Sequence, residues 1–324
     1  MDVTNIVKEY GAYYEKAGQN KNRILALLTQ GLVTPGYCTT VKTDDTIFRL
    51  GSLTIGHIVQ AFQKAWTPKA DIAFQPNELR LYKMKADIDL EPDDIEATWL
   101  GFLADEKVSR KDWPLVKFLI EHPEQGIIAR INSDMEMKEY GHGQFVAPTP
   151  GTAGTTGESM DGFIKQLQTG IDNETINHIN VGNLDKDTIF DQVEEFVVKL
   201  GDLYRYIQMP IFMSQENEIH YHRDKRGQNF YQIQSEAQVN RNVDFVPQFV
   251  VGLPSLNGTN IMFSTPKVNM MHLTKKYNNK TRFDLQEAKR VVNVLADWWE
   301  GVGFGIDGAV FTNLAKSGSG SVSE

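Results

Sequence analysis

Cysteine is nearly absent: Cys38 is the only one in 324 residues. A disulfide framework within one chain, or a thiolate-rich zinc site, is therefore excluded. The lone thiol sits in the strand-like stretch YCTTVKT and reads as an inert, half-buried residue. Positive charge is scarce as well. There are 33 Lys and Arg against 42 Asp and Glu, a net charge of −9. That balance argues against tight, sequence-independent phosphate binding, which needs clustered cations. It leaves room for a container whose inner wall only tolerates nucleic acid. No run of 18 apolar residues occurs, so no membrane span is expected. The start, MDVTNIVKEYGAYYEK, lacks the basic and apolar regions of a secretory signal. Hydrolase elbows of the Gly-x-Ser-x-Gly type, HExxH pairs and a dinucleotide fingerprint opening a helix are also missing.

What remains is a chain that is 41% hydrophobic and 23% charged, a globular composition with ample length to bury a core. Residues 3–16 predict a short amphipathic helix with Val3, Ile6, Val7 and Tyr10 on one stripe, and 21–29 a second. Neither is stable alone, so both need a surface in this chain or another. Residues 37–50 have strand character. Residues 51–78 are unusually apolar for a connection, with Ile55, Ile58, Val59, Phe62 and Trp66 between glycine and proline breaks. They read either as a core helix at 57–66 or as a long excursion whose apolar side meets a neighbouring subunit. Residues 79–90 are the clearest strand. Leu79 and Leu81 set one alternation, and Tyr82, Met84, Ala86, Ile88 and Leu90 resume it one residue later, which predicts a bulge or bend. With 37–50 this makes a long two-stranded arm, marginal without external support.

Helices are predicted over about 93–104 and much of 113–140, the second ending near Gly141. The stretch VAPTPGTAGTTGES at 146–159 is glycine-rich, but no Gly-Lys-Ser/Thr follows it, so it reads as a surface loop. A short helix covers 160–170, and the strongest helical pattern covers 187–207, with a capping-box-like start at Thr188 and Asp191. Residues 209–213 form a short buried strand, followed by strands at 245–252 and 260–265. Residues 289–299 fit a helix or a strand; the β-branched Val291, Val292 and Val294 favour the strand. Residues 302–312 give a last short strand pair, and SGSGSVSE a flexible end. The order predicts an α+β fold without a regular βαβ repeat.

One stretch invites a chemical reading: FMSQENEIHYHRD, residues 212–224, with His220, His222 and Asp224 as metal ligands of an enzyme. Two ligands at i and i+2 share a face only on extended chain. Here Ser214 reads as an N-cap, and on a helix the two histidines diverge by about 200°. Tyr221 is the expected inward anchor. The carboxylates Asp87, Asp89, Glu91, Asp93 and Asp94 read as a solvated strand face running into a helix start. No metal and no cofactor is expected, and the site search points away from an enzyme. The excess of arms points toward partner subunits.

The layout resembles the major capsid protein of tailed bacteriophages, a fold also used by encapsulins. An N-terminal arm at 1–40 and an extended loop at 41–91 precede a returning strand, LYKMKADIDLEPDDIEATWLGFLADE. The helix within 113–140 is similar to the spine helix of the peripheral domain, assigned to 92–150. DGFIKQL, the helix from 187 and PIFMSQENEIHYHRDKRG resemble the axial domain, assigned to 151–270. GLPSLNGTNIMFSTPKVNMM and KRVVNVLADWWEGVGFGIDGAVF resemble its exit and the closing strands of 271–324, with FMS and STPKVN the most characteristic pieces. The pattern is similar to capsid proteins of phages or prophages of Bacteroidetes-type hosts. The resemblance implies a structural protein of the virion, assembled in the host cytoplasm. Copies would form pentamers and hexamers of an icosahedral shell around double-stranded DNA, held without sequence specificity, with no membrane. Scaffolding, portal and decoration proteins are the implied partners. An arm beginning at Met1 implies a separate scaffold or none. Ile55, Ile58, Val59, Phe62 and Trp66 on the loop, and Val3, Ile6 and Tyr10 on the arm, are the expected contacts between subunits. An encapsulin-like compartment for cargo enzymes is the rival on the same fold, and the metal enzyme the rival from outside it.

Overall fold

The slip in alternation at residues 81–82 is where the chain leaves one ladder for another. In the computed structural model, which describes residues 31–55, 58–69, 72–90, 126–228, 241–276, 283–288 and 291–317, Leu81 lies between two nine-residue strands, β3 (Ile72–Arg80) and β4 (Tyr82–Leu90). β3 pairs antiparallel with β2 (Ile47–Ile55), while β4 pairs antiparallel with β11 (Val291–Phe304). Leu79, Leu81, Tyr82 and Met84 are all buried, so the bend serves a burial on each side of the slip. The chain divides into two compact units. One is built from the described parts of 1–44, 81–165 and 272–301, the other from those of 45–80, 166–271 and 302–324.

The first unit holds a five-stranded sheet ordered β1 (Thr39–Thr43), β9 (Met270–Lys275), β11, β10 (Phe283–Ala288), with β4 also on β11. β11 settles the ambiguity of 289–299 as strand: Val294, Ala296, Trp298 and Glu300 are buried while Asp297 between them is exposed. That period of two has no helical counterpart. The spine pattern appears as α1 (Ile127–Asp134), whose Ile127, Ile128 and Ile131 are buried. A single π-helical turn, Met135–Glu139, continues it and ends near Gly141 as expected. The stretch 113–125 and the expected helices at 3–16, 21–29 and 93–104 lie outside the described residues.

The π turn carries this unit's polar interior. Glu136 and Glu139 are 4% and 3% exposed, and Glu300 is fully buried. Glu136 accepts hydrogen bonds from the Val33 and Thr34 amides at 3.1 Å each and from Thr34 Oγ1 at 2.6 Å. Glu139 accepts from the Gly157 amide at 2.8 Å and the Ser159 amide at 3.3 Å. The Tyr140 hydroxyl donates to Glu300 at 2.6 Å, and His272 Nε2 lies 2.5 Å from the same oxygen. Residues 136–140 thus tie together the Val33–Thr34 segment, the foot of the glycine-rich loop and the sheet. Burial pushes the Glu136 and Glu139 carboxyls up, against the amide and hydroxyl bonds that favour the anion.

The second unit centres on β6 (Pro210–Ser214), buried at every residue. Its sheet runs β5 (Asn177–His178), β12 (Phe311–Thr312), β8 (Phe263–Ser264), β6, β7 (Phe249–Leu253). β6 and β7 are parallel, which fits an apolar strand covered on both faces. Ile211 and Met213 join a core with Phe190, Val193, Phe196, Val197 and Leu200, the stripe of helix α3 (Ile189–Val198). On β6's other side Phe212 lies 5.0 Å from Phe263, which meets Phe304 edge-on at 5.8 Å. α2 (Phe163–Asp172) matches the expected short helix. α3 is shorter than the pattern 187–207 predicted. It ends at Val198 and the chain turns at Gly201, so Leu203 and Ile207 leave the expected stripe and are exposed, while Tyr204 stays packed against the core. The strands expected over 245–252 and 260–265 likewise shrink to 249–253 and 263–264.

Candidate assembly interface

β2 and β3 form a hairpin of nine Cα pairs, from Ile47 opposite Arg80 to Ile55 opposite Ile72. Its root is fastened within the second unit. Asn77 Nδ2 donates to the Phe304 carbonyl at 2.7 Å and to Asp307 Oδ1 at 3.1 Å. Beyond the last pair, the described residues 58–69 carry no helix, so the core-helix alternative for 57–66 is not what forms there. Side-chain bonds brace this segment, among them Gln60 Nε2 to the Thr67 carbonyl at 2.7 Å and Lys69 Nζ to the Val59 carbonyl at 2.7 Å. Ile58, Val59, Phe62 and Trp66 are 63%, 85%, 93% and 92% exposed. Burying one such side chain is worth about 1.5–3 kcal/mol, so the four together are a large apolar surface left in water. Ile55 is the last paired residue of β2. Val3, Ile6 and Tyr10 lie outside the described residues.

The histidine stretch folds as expected from its cap. β6 runs directly into α4 (Gln215–Gln228), and Ser214 Oγ accepts the Asn217 amide at 3.2 Å. Asn217, Tyr221 and Lys225, four apart, face inward, and Tyr221 is fully buried with its ring 5.8 Å from Phe190. His220 and His222 do not converge. His220 Nε2 is 3.6 Å from Glu216, and His222 Nε2 is 3.9 Å from Glu218, each one helical turn back. Asp224 is committed elsewhere: its Oδ2 accepts the Phe190 amide at 2.9 Å. It caps α3, where Thr188 and Asp191 were expected to act and Thr188 makes no side-chain cap. Among the described residues, no group of three His, Cys, Asp or Glu could hold a metal ion. Glu218 also meets Arg241 Nε at 3.2 Å. Burial pushes its carboxyl up, but His222, Arg241 and the Gly252 amide outweigh that and hold it below the ordinary value. Gly252 makes this approach possible, since a Cβ there would lie 2.5 Å from Glu218 Oε2 and 2.9 Å from Gln215 Cα.

Sequence reading missed the polar interior on the π turn, because helical periodicity tracks apolar residues and Glu136 and Glu139 look like ordinary surface acids. It missed Asp224 as a cap because the capped helix is 34 residues away in the chain. Cys38 is buried, its thiol donating to the Thr34 carbonyl at 3.3 Å. No described helix is long and apolar enough to cross a membrane.

No family model and no curated protein matches the chain. Solved structures do. The satellite phage P4 procapsid, which includes a size-determination protein, matches over 95% of this chain and 96% of that one, with a TM-score of 0.58 at 11% identity. The capsid of Myoviridae phage XM1 matches over 89% and 92%, at 0.49 and 10%. A virus-like particle from Pyrococcus furiosus matches over 93% and 98%, at 0.48 and 7%. The P4 match, nearly end to end on both sides, carries the assignment: this chain has the α+β fold of the tailed-phage major capsid proteins.

Proposed function

We propose that this chain is the structural subunit of a closed shell, with no catalytic role, and that its copies assemble as pentamers and hexamers around double-stranded DNA. The observation that carries this reading is the braced loop at the end of the β2–β3 hairpin, with Phe62 and Trp66 more than nine-tenths exposed on a capsid fold. A small rigid hairpin exposing such side chains has nothing of its own to bury them in. A neighbouring copy supplies that surface, and many small contacts repeated by symmetry make a shell cooperative. In this reading 1–40 is an arm, 41–91 the extended loop, 92–150 and 271–324 a peripheral domain, and 151–270 an axial domain. Val3, Ile6 and Tyr10 join the loop residues as contacts. The chain's net charge of −9 suits a wall that must not grip DNA.

Negative-stain microscopy of the purified protein tests the reading. Uniform shells, or rings of five and six, are expected. A chain that stays monomeric at high concentration overturns it. Nuclease-resistant DNA inside the particles is expected of a genome container, and protein cargo without nucleic acid of an encapsulin-like compartment.

A further inference from the structure

A buried cation faces two carboxylates where α3 and α4 meet the turn before β7. Lys225, on the inner face of α4, is buried. Its Nζ lies 2.8 Å from Asp244 Oδ1 and donates to the Asn242 carbonyl at 2.6 Å. Asp244 stands on a short turn closed at its root. The Val243 amide donates to the Gln248 carbonyl at 2.9 Å, and the Val250 amide to the Arg241 carbonyl at 2.8 Å. Val243 belongs to the core. Amine and carboxylate are thus both rooted in fixed backbone. The Tyr221 ring walls the corner, its centroid 5.9 Å from Lys225 Nζ. Tyr221 is fully buried, and its hydroxyl meets no hydrogen-bond partner among the described residues. Glu194 of α3 is the second carboxylate. Burial pushes its carboxyl up, the Asp244 and Asp191 charges add to that, and Lys225 pulls it back. After burial, the charges of Asp244 and Glu194 also raise the Tyr221 phenol. The amine, both carboxylates and the phenol therefore share one corner.

We propose that Lys225 and Asp244 are a modification site: they condense into an amide bond within one chain, with Glu194 as the proton carrier. An ion pair in such a corner keeps two charges out of water, a cost that a neutral amide abolishes. Groups held this close react at effective concentrations of about 10⁵–10⁸ M, which offsets the cost of condensing an amine with an acid. A carboxyl pushed up by its surroundings is suited to taking and returning a proton. The step balances without an oxidant or a co-reactant. Glu194 takes one proton from the Lys225 ammonium, and the neutral amine attacks Asp244 Cγ. The Nζ–Cγ bond forms and one Cγ–O bond breaks. A second proton from Nζ and the proton on Glu194 leave with that oxygen as water. Glu194 ends as the carboxylate it began as. The bond ties the segment entering β7 to α4 inside a single chain, so it stands or falls apart from the shell reading.

Mass spectrometry of the purified full chain tests the bond. An intact mass lower by one water is expected, with a tryptic fragment in which Lys225 and Asp244 stay joined and no cleavage after Lys225. A wild-type chain at its full sequence mass, giving separate peptides for the two residues, overturns the proposal without recourse to any variant. Lys225→Arg keeps a cation opposite Asp244 and removes the nucleophilic amine, so the full mass is expected to return. Water still lost from that variant places the dehydration elsewhere and overturns the site. Glu194→Gln keeps the side chain's shape and removes the proton carrier. The condensed fraction, followed with time after synthesis, is expected to grow about ten-fold or more slowly in this variant. Growth at the wild-type rate overturns the part given to Glu194.

Discussion

At Glu136 a single carboxylate collects two amides and a hydroxyl from Val33 and Thr34. Glu136→Ala strands those buried donors, and a loss of about 3 kcal/mol in chemical denaturation of the unassembled chain is expected. Glu136→Gln keeps one acceptor and costs less. Asp224 acts across 34 residues of sequence on the α3 terminus. Asp224→Ala is expected to cost about 1 kcal/mol, the usual worth of a helix cap. A bound metal requiring Asp224 would instead appear as metal lost from the variant in elemental analysis. Glu218 sets a pH dependence. Its folded pKa is held below the ordinary 4.5, so its stabilisation is present above that value and lost as pH falls through the folded one. The melting-temperature gap between wild type and Glu218→Gln is therefore expected to narrow below about pH 4.5. Glu136 runs the other way. Burial raises its pKa, so its contribution is larger in acid and declines as pH rises through the folded value.

Elements divide into those with their own core and those that borrow one. β6 is enclosed by α3, α4 and β7 and needs no partner. The β2–β3 hairpin has a fastened root and an exposed tip. Phe62→Ser with Trp66→Ser is expected to leave the unassembled chain's melting temperature within about 2 °C, since exposed residues contribute little to folding. The same pair should abolish particle formation by light scattering. Normal particles from this variant would remove the loop from the set of contacts. Gly252 marks the reverse case, a close approach inside one unit. Gly252→Ala pushes against Glu218 Oε2 and the α4 backbone, and a loss of about 1–3 kcal/mol is expected.

For the molecule as a whole, separate apolar surfaces matter more than any one of them. In the proposed shell each would bury a handful of side chains, which is too little for a stable pairwise complex but enough when every copy makes several such contacts. Assembly is then expected to be steeply concentration-dependent, with free chain and closed particles and few intermediates in sedimentation. A gradual monomer–dimer isotherm would contradict that cooperativity.

The β–β slip at Leu81, the capped β6–α4 junction and the strand character of 289–299 were legible in the sequence because each is a local pattern. Alternation, or a cap three residues from its amide, is written in adjacent residues. The end of α3 at Val198 was not, although the apolar spacing ran on to Ile207. There tertiary contacts compete with helical propensity, and the Gln248 amide binds three carbonyls that the pattern had assigned to a continuing helix. Nor could sequence show that Glu136, Glu139 and Glu300 are buried, or that Asp224 caps a distant helix. Their partners are far along the chain, and a carboxylate carries no periodic signal. The sequence by itself determined most of the strands and the helix cap at Ser214. Only the tertiary structure decided which charges go inside, because burying a carboxylate depends on donors that distant segments bring to it.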